Sequence, residues 1–315
     1  MTRARQAGQP PTWLAGRGVV GSVFIAAALA LGACTAADGS DPGPAPSTSQ
    51  VPDQQPGLLV VQVLNEADYA IDNVLIGVPP QPAKRSPRLA YLPGSVLVPG
   101  ESGEVSVTLG RTPQQPDTRA AVVALEAEFD LSIDGGLTLD RLAFAGLIDA
   151  VGGVWINVPN QLFIPRPEGE LPLVVRSGWQ RLNGITGADY ATLRGPGEDE
   201  SMTLQRFAAV FAETLRRLPA TPERLRQLFT NLGSLAPSTT TTETLIDVFS
   251  QARAGMAGAS DMQVFVEVAL IRGGSSPASV VTERGSRTVR AMFADFKTEP
   301  VAVDVSSDDT TSVTR

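Results

Sequence analysis

The apolar positions of this chain follow two rhythms, one of strand period and one of helix period. Residues 58–64 (Leu-Leu-Val-Val-Gln-Val-Leu) form a nearly unbroken apolar run of strand length, as expected for a strand covered on both faces. Residues 71–78 predict a second strand with Asp72 near its start. Residues 88–98 predict a third extended piece interrupted at Pro93-Gly94, and residues 104–109 a fourth. A polar loop at 110–118 leads into a helix over 119–128. Leu139, Leu142, Phe144, Leu147, Ile148 and Val151 then recur close to helical spacing and predict a helix over 137–151. Gly152 and Gly153 supply the positive-φ backbone that ends a helix. Val154, Ile156 and Val158 alternate with Trp155 and Asn157 as on a strand, and Pro159 stops it. A helix turning directly into a strand reads as the αβ half of a βαβ unit.

Further on, residues 165–172 read as loop and 173–175 as strand, followed by a short helix over 185–193 bearing Tyr190 and an acidic loop at 195–200. Leu204, Phe207, Ala208, Phe211 and Leu215 make one apolar stripe of a long helix. Pro222 marks the start of a helix over 221–232, another covers 243–256, and residues 263–271 alternate as a last strand. Interior apolar strands interleaved with amphipathic helices predict the α/β class: a mixed central β-sheet flanked by helices on both faces, in one main domain over 57–297. No period of repeat-protein length recurs.

The two ends of the chain obey other rules. Residues 1–33 read as an export signal, with Arg3, Arg5 and Arg17 ahead of an apolar stretch from Val19 to Leu31 that is short for a membrane span. It ends in Leu-Gly-Ala-Cys, which resembles a bacterial lipobox. Cys34 is then the residue that would carry lipid, anchoring the protein to the outer face of the cell membrane. Residues 34–56 are rich in Pro, Ser and Gly and predict an unstructured tether, and 298–315 a polar tail. Cys34 is the only cysteine, so no intramolecular disulfide can form.

Composition narrows the chemistry. The 315-residue chain has a formal net charge of −8 and no histidine, which removes histidine metal sites, Ser-His-Asp triads and histidine bases together. The acidic balance argues against a nucleic-acid partner. Only two of the 25 basic residues, Lys84 and Lys297, are lysines. The rest are arginine, the better residue for gripping phosphate.

Several pieces, in order and at consistent spacing, give the chain a resemblance to the LytR-CpsA-Psr family. They are LIDAVGGVWINVP at 147–159, GWQRLNG at 178–184 with Ala188 and Tyr190, then Arg194, and Glu200 with Arg206 opening an amphipathic helix. The resemblance is spread over 57–272 and is specific across 144–215. It implies a membrane-attached protein facing the cell wall that moves a glycopolymer from a polyprenyl-pyrophosphate carrier onto peptidoglycan. It further implies that Arg194 and Arg206 hold the pyrophosphate and Asp72 holds Mg²⁺. Leu147, Val151 and Ile156 would line an apolar tunnel for the prenyl chain. Such a division of labour is coherent, because phosphoryl transfer needs charge neutralisation and alignment more than covalent help.

The chain also departs from the family pattern. Ala70 stands where the family has an arginine, and Gly94 and Ser95 stand for its arginine-aspartate pair. Thr192 and Thr203 replace two more arginines, and Glu200 replaces an aspartate. Arg85 and Arg88 are near enough in sequence to stand in for part of what is missing. Three readings remain: an active, Mg²⁺-dependent transferase; a non-catalytic protein that binds a prenyl-linked or wall glycan ligand or works with an active paralogue; or a scaffold lipoprotein with no ligand site.

Overall fold

A computed structural model of the protein describes residues 57–65, 69–79, 87–99, 106–114, 119–164, 172–256, 263–271 and 278–296. The export signal, Cys34, the tether, Arg85 and the C-terminal tail lie outside the described residues. In chain order the strands are β1 (Gly57–Leu64), β2 (Ala70–Val78), β3 (Arg88–Pro93), β4 (Leu97–Pro99), β5 (Ser106–Thr108), β6 (Gly135–Leu139), β7 (Val154–Val158), β8 (Leu162–Ile164), β9 (Leu173–Val175), β10 (Gly178–Leu182), β11 (Gln263–Phe265), β12 (Val268–Ile271) and β13 (Ala278–Val281). The α-helices are α1 (Ala120–Phe129), α2 (Arg141–Ala150), α3 (Gly184–Thr192), α4 (Glu200–Arg217), α5 (Pro222–Leu232), α6 (Thr242–Met256) and α7 (Glu283–Met292), and a 3-10 helix spans Leu109–Gln114. Among the described residues, no helix is long and apolar enough to cross a membrane.

The central sheet has the strand order β11-β3-β2-β1-β6 and is mixed. β1 and β2 pair antiparallel, as do β2 and β3, while β6 runs parallel to β1 and β11 parallel to β3. Because side chains alternate across a strand, each strand feeds two apolar layers. Val61, Val63, Val74, Ile76 and Tyr91 face a layer built with α2 to α6, where Phe207 sits 6.0 Å from both Tyr91 and Phe144. Leu58, Val60, Leu75, Ala90 and Leu92 face the other layer, closed by α1 and α7. The expected architecture, a mixed sheet with helices on both faces, is what the chain forms.

Three local expectations are corrected. The helix expected over 137–151 is a strand followed by a helix: β6 takes Gly135–Leu139 and α2 starts at Arg141. Parallel pairing with β1 claims Leu137 and Leu139 for the sheet, and the Asp140 carboxylate caps α2 by accepting from the Ala143 amide at 2.6 Å. Leu142, counted in the helical stripe, is 56% exposed. The strand after α2 also fails to complete a βαβ unit, because β7 leaves the central sheet and pairs antiparallel with β10. Finally, the segment after β12 returns as β13 and α7. Thr282 caps α7, and Phe293, just past its end, is buried against Gly77 of β2, where a Cβ would lie 2.6 Å from the ring.

The turn between α2 and β7 interlocks with the turn between β10 and α3. Gly152 and Gly153 both have φ of +79°, and the Gly153 amide donates to the Ile148 carbonyl at 2.8 Å, closing the helix end. The Asp149 carboxylate accepts from the Gly184 amide at 2.6 Å, and Arg181 Nε donates to the Gly152 carbonyl at 2.6 Å. Asn183 caps α3 by accepting from the Thr186 amide at 3.0 Å. A Cβ at Gly184 would stand 2.3 Å from Asp149 Oδ2 and 2.4 Å from the Ala145 carbonyl. Gly184→Ala is therefore expected to cost about 1–3 kcal/mol by overpacking. Thermal melting should show it as a fall of about 2–4 °C per kcal/mol; an unchanged melting temperature would refute the interlock.

Candidate functional site

At one end of the central sheet the chain converges from five directions. The residue after β1 (Asn65), the start of β2 with the residue before it (Tyr69 to Ile71), the β3–β4 turn (Gly94, Ser95), the 3-10 helix and the start of α4 meet around a cavity of about 450 Å³. Its lining includes Tyr69, Gly94, Ser95, Arg111, Arg194 and Glu200. Backbone packing is tight at this point. The Gly94 amide donates to the Ile71 carbonyl at 2.9 Å, and a Cβ at Gly94 would lie 2.3 Å from the Ala70 carbonyl oxygen. No arginine side chain fits at position 94 without moving the start of β2.

Asp72 follows the lining residue Ile71 in β2 but does not itself line the cavity; it lies on the β2 face shared with Val74 and Ile76 and opposite Pro93 of β3. It is fully buried, and neither carboxylate oxygen has a hydrogen-bond partner among the described residues. Burial pushes its pKa well above the ordinary carboxylate range, and the negative charge of Glu200 pushes it further. The positive charges of Arg206 and Arg194 pull the other way. The expected metal ligand and the two expected phosphate-binding arginines are thus within electrostatic reach of one another, together with Glu200.

Glu200 accepts hydrogen bonds from both the amide (3.1 Å) and the hydroxyl of Ser95, and that hydroxyl also contacts the Ser279 hydroxyl at 2.9 Å. The residue that replaces a charged family position therefore occupies the carboxylate at the start of α4. Asp199 caps this helix by accepting from the Met202 amide at 3.0 Å. The Ser201 hydroxyl and this amide bond together lower the Asp199 pKa.

Arg206 is 9% exposed and held from several sides. Its Nη2 donates to the Leu193 carbonyl at 2.7 Å and to Glu198 at 2.9 Å, and the guanidinium lies 5.2 Å from the Tyr190 ring centroid. Its Nε and Nη1 have no partner among the described residues. Burial lowers its pKa, while Glu198, Tyr190 and Asp72 raise it. A second cavity of about 340 Å³ lies against Arg206, Glu198 and Tyr190 and is walled by Ile156, Asn157 and Met202. Of the three expected tunnel residues, Ile156 lines this cavity. Leu147 is buried in the core and Val151 packs partly buried against it; neither lines either of these two cavities.

The remaining expected positions lie away from the cavity or inside a helix. Thr192 is buried, its hydroxyl bonded to the Ala188 carbonyl at 2.8 Å inside α3. Arg88 cannot replace a missing arginine. It lies at the far end of β3, paired with Asp295 at 2.8 Å, bonded to the Met292 carbonyl and stacked on Phe296. Glu198, Tyr190 and Arg111 did not stand out in the sequence as site residues. Glu198 lies in an acidic loop that reads as solvated, and Arg111 in a polar loop.

Asp72 gives this site a pH signature. Its folded pKa lies above its unfolded value, so its contribution favours the fold below about pH 4 and is lost as pH rises through the folded pKa. Asp72→Asn should therefore raise stability at pH 7 by about 1–3 kcal/mol. The gain should shrink toward zero as the unfolded-state carboxyl protonates. Melting temperatures of both proteins across pH 3–8 test this, and a pH-independent difference would contradict the buried, unpaired acid.

Comparison with known proteins matches part of the sequence to a family model and the fold to solved structures. Residues 117–209 match the LytR_cpsA_psr family model, a segment that runs from just before α1 into α4 and contains Asp149, Tyr190, Arg194, Glu200 and Arg206. No curated protein matches the chain. Among solved structures, the chain is similar to B. subtilis TagV at a TM-score of 0.65 and 12% identity, covering 78% of this chain and 99% of that one. It is similar to a transcriptional regulator from Enterococcus faecalis at 0.63 and 16%, covering 77% and 88%. It is similar to TagT bound to LIIa-WTA at 0.61 and 12%, covering 78% and 93%; a B. subtilis TagT structure also matches. At these identities the structural likeness is one of fold, and it agrees with the sequence match: residues 117–209 carry the LytR_cpsA_psr match, and the fold around them is similar to that of TagV and TagT.

Proposed function

We propose that this protein is a cell-envelope phosphotransferase that moves a glycopolymer from a polyprenyl diphosphate carrier onto peptidoglycan. In that reaction an acceptor hydroxyl forms a new bond to phosphorus and gives up its proton to water, the phosphoanhydride bond breaks, and prenyl monophosphate leaves. The observation that carries the proposal is Asp72: a fully buried carboxyl group without a partner among the described residues, within electrostatic reach of Glu200, Arg194 and Arg206. A buried acid in this setting is costly unless a cation shares its space. The similar fold of TagT, solved bound to LIIa-WTA, supports a polymer-bearing ligand.

The donor set fits Mg²⁺. Among the described residues no cluster of three or more acidic, histidine or cysteine side chains could hold a metal. Mg²⁺ commonly takes one or two protein carboxylates and completes its shell with water and substrate phosphates. Asp72 would be the first such carboxylate and Glu200, within its electrostatic reach, the second once released from Ser95; the ion would supply neutralisation of the diphosphate's charge. Arg194, exposed at the cavity, binds and orients the phosphates. Arg206, locked by Glu198 and Tyr190, contributes a fixed positive field in a water-poor setting, where such charges act most strongly. The prenyl chain would run along the apolar layer at Ile156, toward Leu147 and Val151. Lipid on Cys34 and the tether 34–56 would hold the domain at the outer face of the membrane.

One observation favours the second reading, a non-catalytic prenyl- or glycan-binding protein. Glu200 is engaged by Ser95, and Ala70, Gly94 and Thr192 bring no charge to the site. The full-length protein in detergent, given a prenyl diphosphate-linked glycan and peptidoglycan, separates the readings. The transferase should release prenyl monophosphate, stop with chelator and resume with Mg²⁺. Arg206→Ala should lower kcat by roughly 10²–10³. Lipid binding without turnover would establish the second reading, and absence of both would reject the two together.

A further inference from the structure

We infer that Arg111 and Arg194 form a two-guanidinium clamp for a diphosphate in the 450 Å³ cavity, so that Arg111 restores the positive charge missing at positions 70 and 94. The identity of the ligand rests on the phosphotransferase reading; the clamp itself does not. The two arginines line one cavity from different elements, the 3-10 helix and the loop before α4. The only acid in that lining among the described residues is Glu200, whose carboxylate is occupied by Ser95. Two lining residues are thus cationic against one acidic residue whose oxygens are already bonded, and the cavity's size is within the range of small-molecule sites.

Arg111 is also held in position, as a binding residue needs to be. Its neighbours fasten the 3-10 helix onto the end of the sheet. The Leu109 amide donates to the Val96 carbonyl at 2.6 Å and the Gly110 amide to the Gly94 carbonyl at 2.8 Å. Gly110 approaches so closely that a Cβ there would lie 2.7 Å from the Ala70 carbonyl oxygen. Beneath it, buried Gln62 donates through Nε2 to Asn73 Oδ1 at 2.8 Å and to Thr112 Oγ1 at 3.0 Å, and Thr112 donates to the Leu109 carbonyl at 2.8 Å. This polar network lies in an otherwise apolar layer and ties β1 and β2 to the residue next after Arg111. The Arg111 guanidinium lies over the Tyr69 ring, 5.7 Å from its centroid, within cation–π range, and a planar guanidinium can grip a phosphate bidentately. The loop thus packs its backbone against Ala70 and Gly94, the two positions that lack arginine, and supplies one from the adjoining residue.

Calorimetric titration of the full-length protein in detergent micelles tests the clamp with two probes: inorganic diphosphate and geranylgeranyl diphosphate. Arg111→Ala and Arg194→Ala should each weaken binding by roughly tenfold to a hundredfold. Arg111→Lys should recover only part, because it keeps the charge and loses the fork. Gln62→Leu, with both arginines intact, should weaken binding by releasing the 3-10 helix, and circular dichroism checks that each variant is folded. Equal affinity for the two probes would mark a site for free diphosphate, and markedly tighter binding of the prenyl probe a lipid carrier; both retain the clamp. Arg111→Ala binding both probes like the parent, or the parent binding neither, would overturn it. Arg111-dependent binding without glycopolymer transfer would defeat the proposed function and leave the clamp standing. Normal transfer by Arg111→Ala would do the reverse.

Discussion

The bond from the Gly184 amide to the Asp149 carboxylate is where this architecture is joined. It is charge-assisted, a class worth about 1.5–3 kcal/mol, and it links the end of α2 to the start of α3 at 2.6 Å. A second tie between the same helices, Arg141 to Asp189 at 2.6 Å, has the Asp189 side chain fully buried. With both in place, α3 has one position relative to the core, and it sets the position of the site residues on it and beyond it. Tyr190 lies on α3, Arg194 just past its end, and the Leu193 carbonyl receives Arg206 from α4. The glycine-rich pieces that carry the family resemblance therefore act as a joint, since a side chain at Gly184 would collide with Asp149 and with the α2 backbone.

The joint positions an electrostatic arrangement that the protein alone leaves open. Asp72 is buried with neither oxygen bonded, and Arg206 is buried with two of its nitrogens unbonded, each counting among the described residues. Each feels the other's charge, and among those residues they form no ion pair. Most structures neutralise such groups by direct pairing, because a lone buried charge costs several kcal/mol. Here Glu198 and Tyr190 hold Arg206, and Glu200 adds a second negative charge beside Asp72. In the proposed function, a buried acid and a buried guanidinium held near but apart would suit a ligand that carries both a cation and phosphates. The 3-10 helix contributes to it from the other side of the sheet, through a buried amide-hydroxyl network that no apolar pattern announces.

Apolar periodicity by itself determined most of the helices and strands and the class of fold, because burial on one face or two leaves a period of 3.6 or 2 in the chain. The resemblance carried by the pieces around the glycine turns also implied roles for Arg194 and Arg206, and the weaker match at 70–73 implied one for Asp72. Periodicity misread residues 137–139, because two leucines two apart on a strand also fall near the start of a helical stripe, and only pairing with β1 shows which applies. It gave β7 to the wrong sheet for the same reason: strand pairing is a long-range contact with no local mark. The gathering of Asp72, Glu200, Arg194, Arg206 and Arg111, the withdrawal of Arg88 to Asp295 and the closing of position 94 by the Ala70 carbonyl were decided only by tertiary structure. Those outcomes depend on which backbones approach to within a few ångströms, and residues tens of positions apart carry no sequence pattern that records such distances.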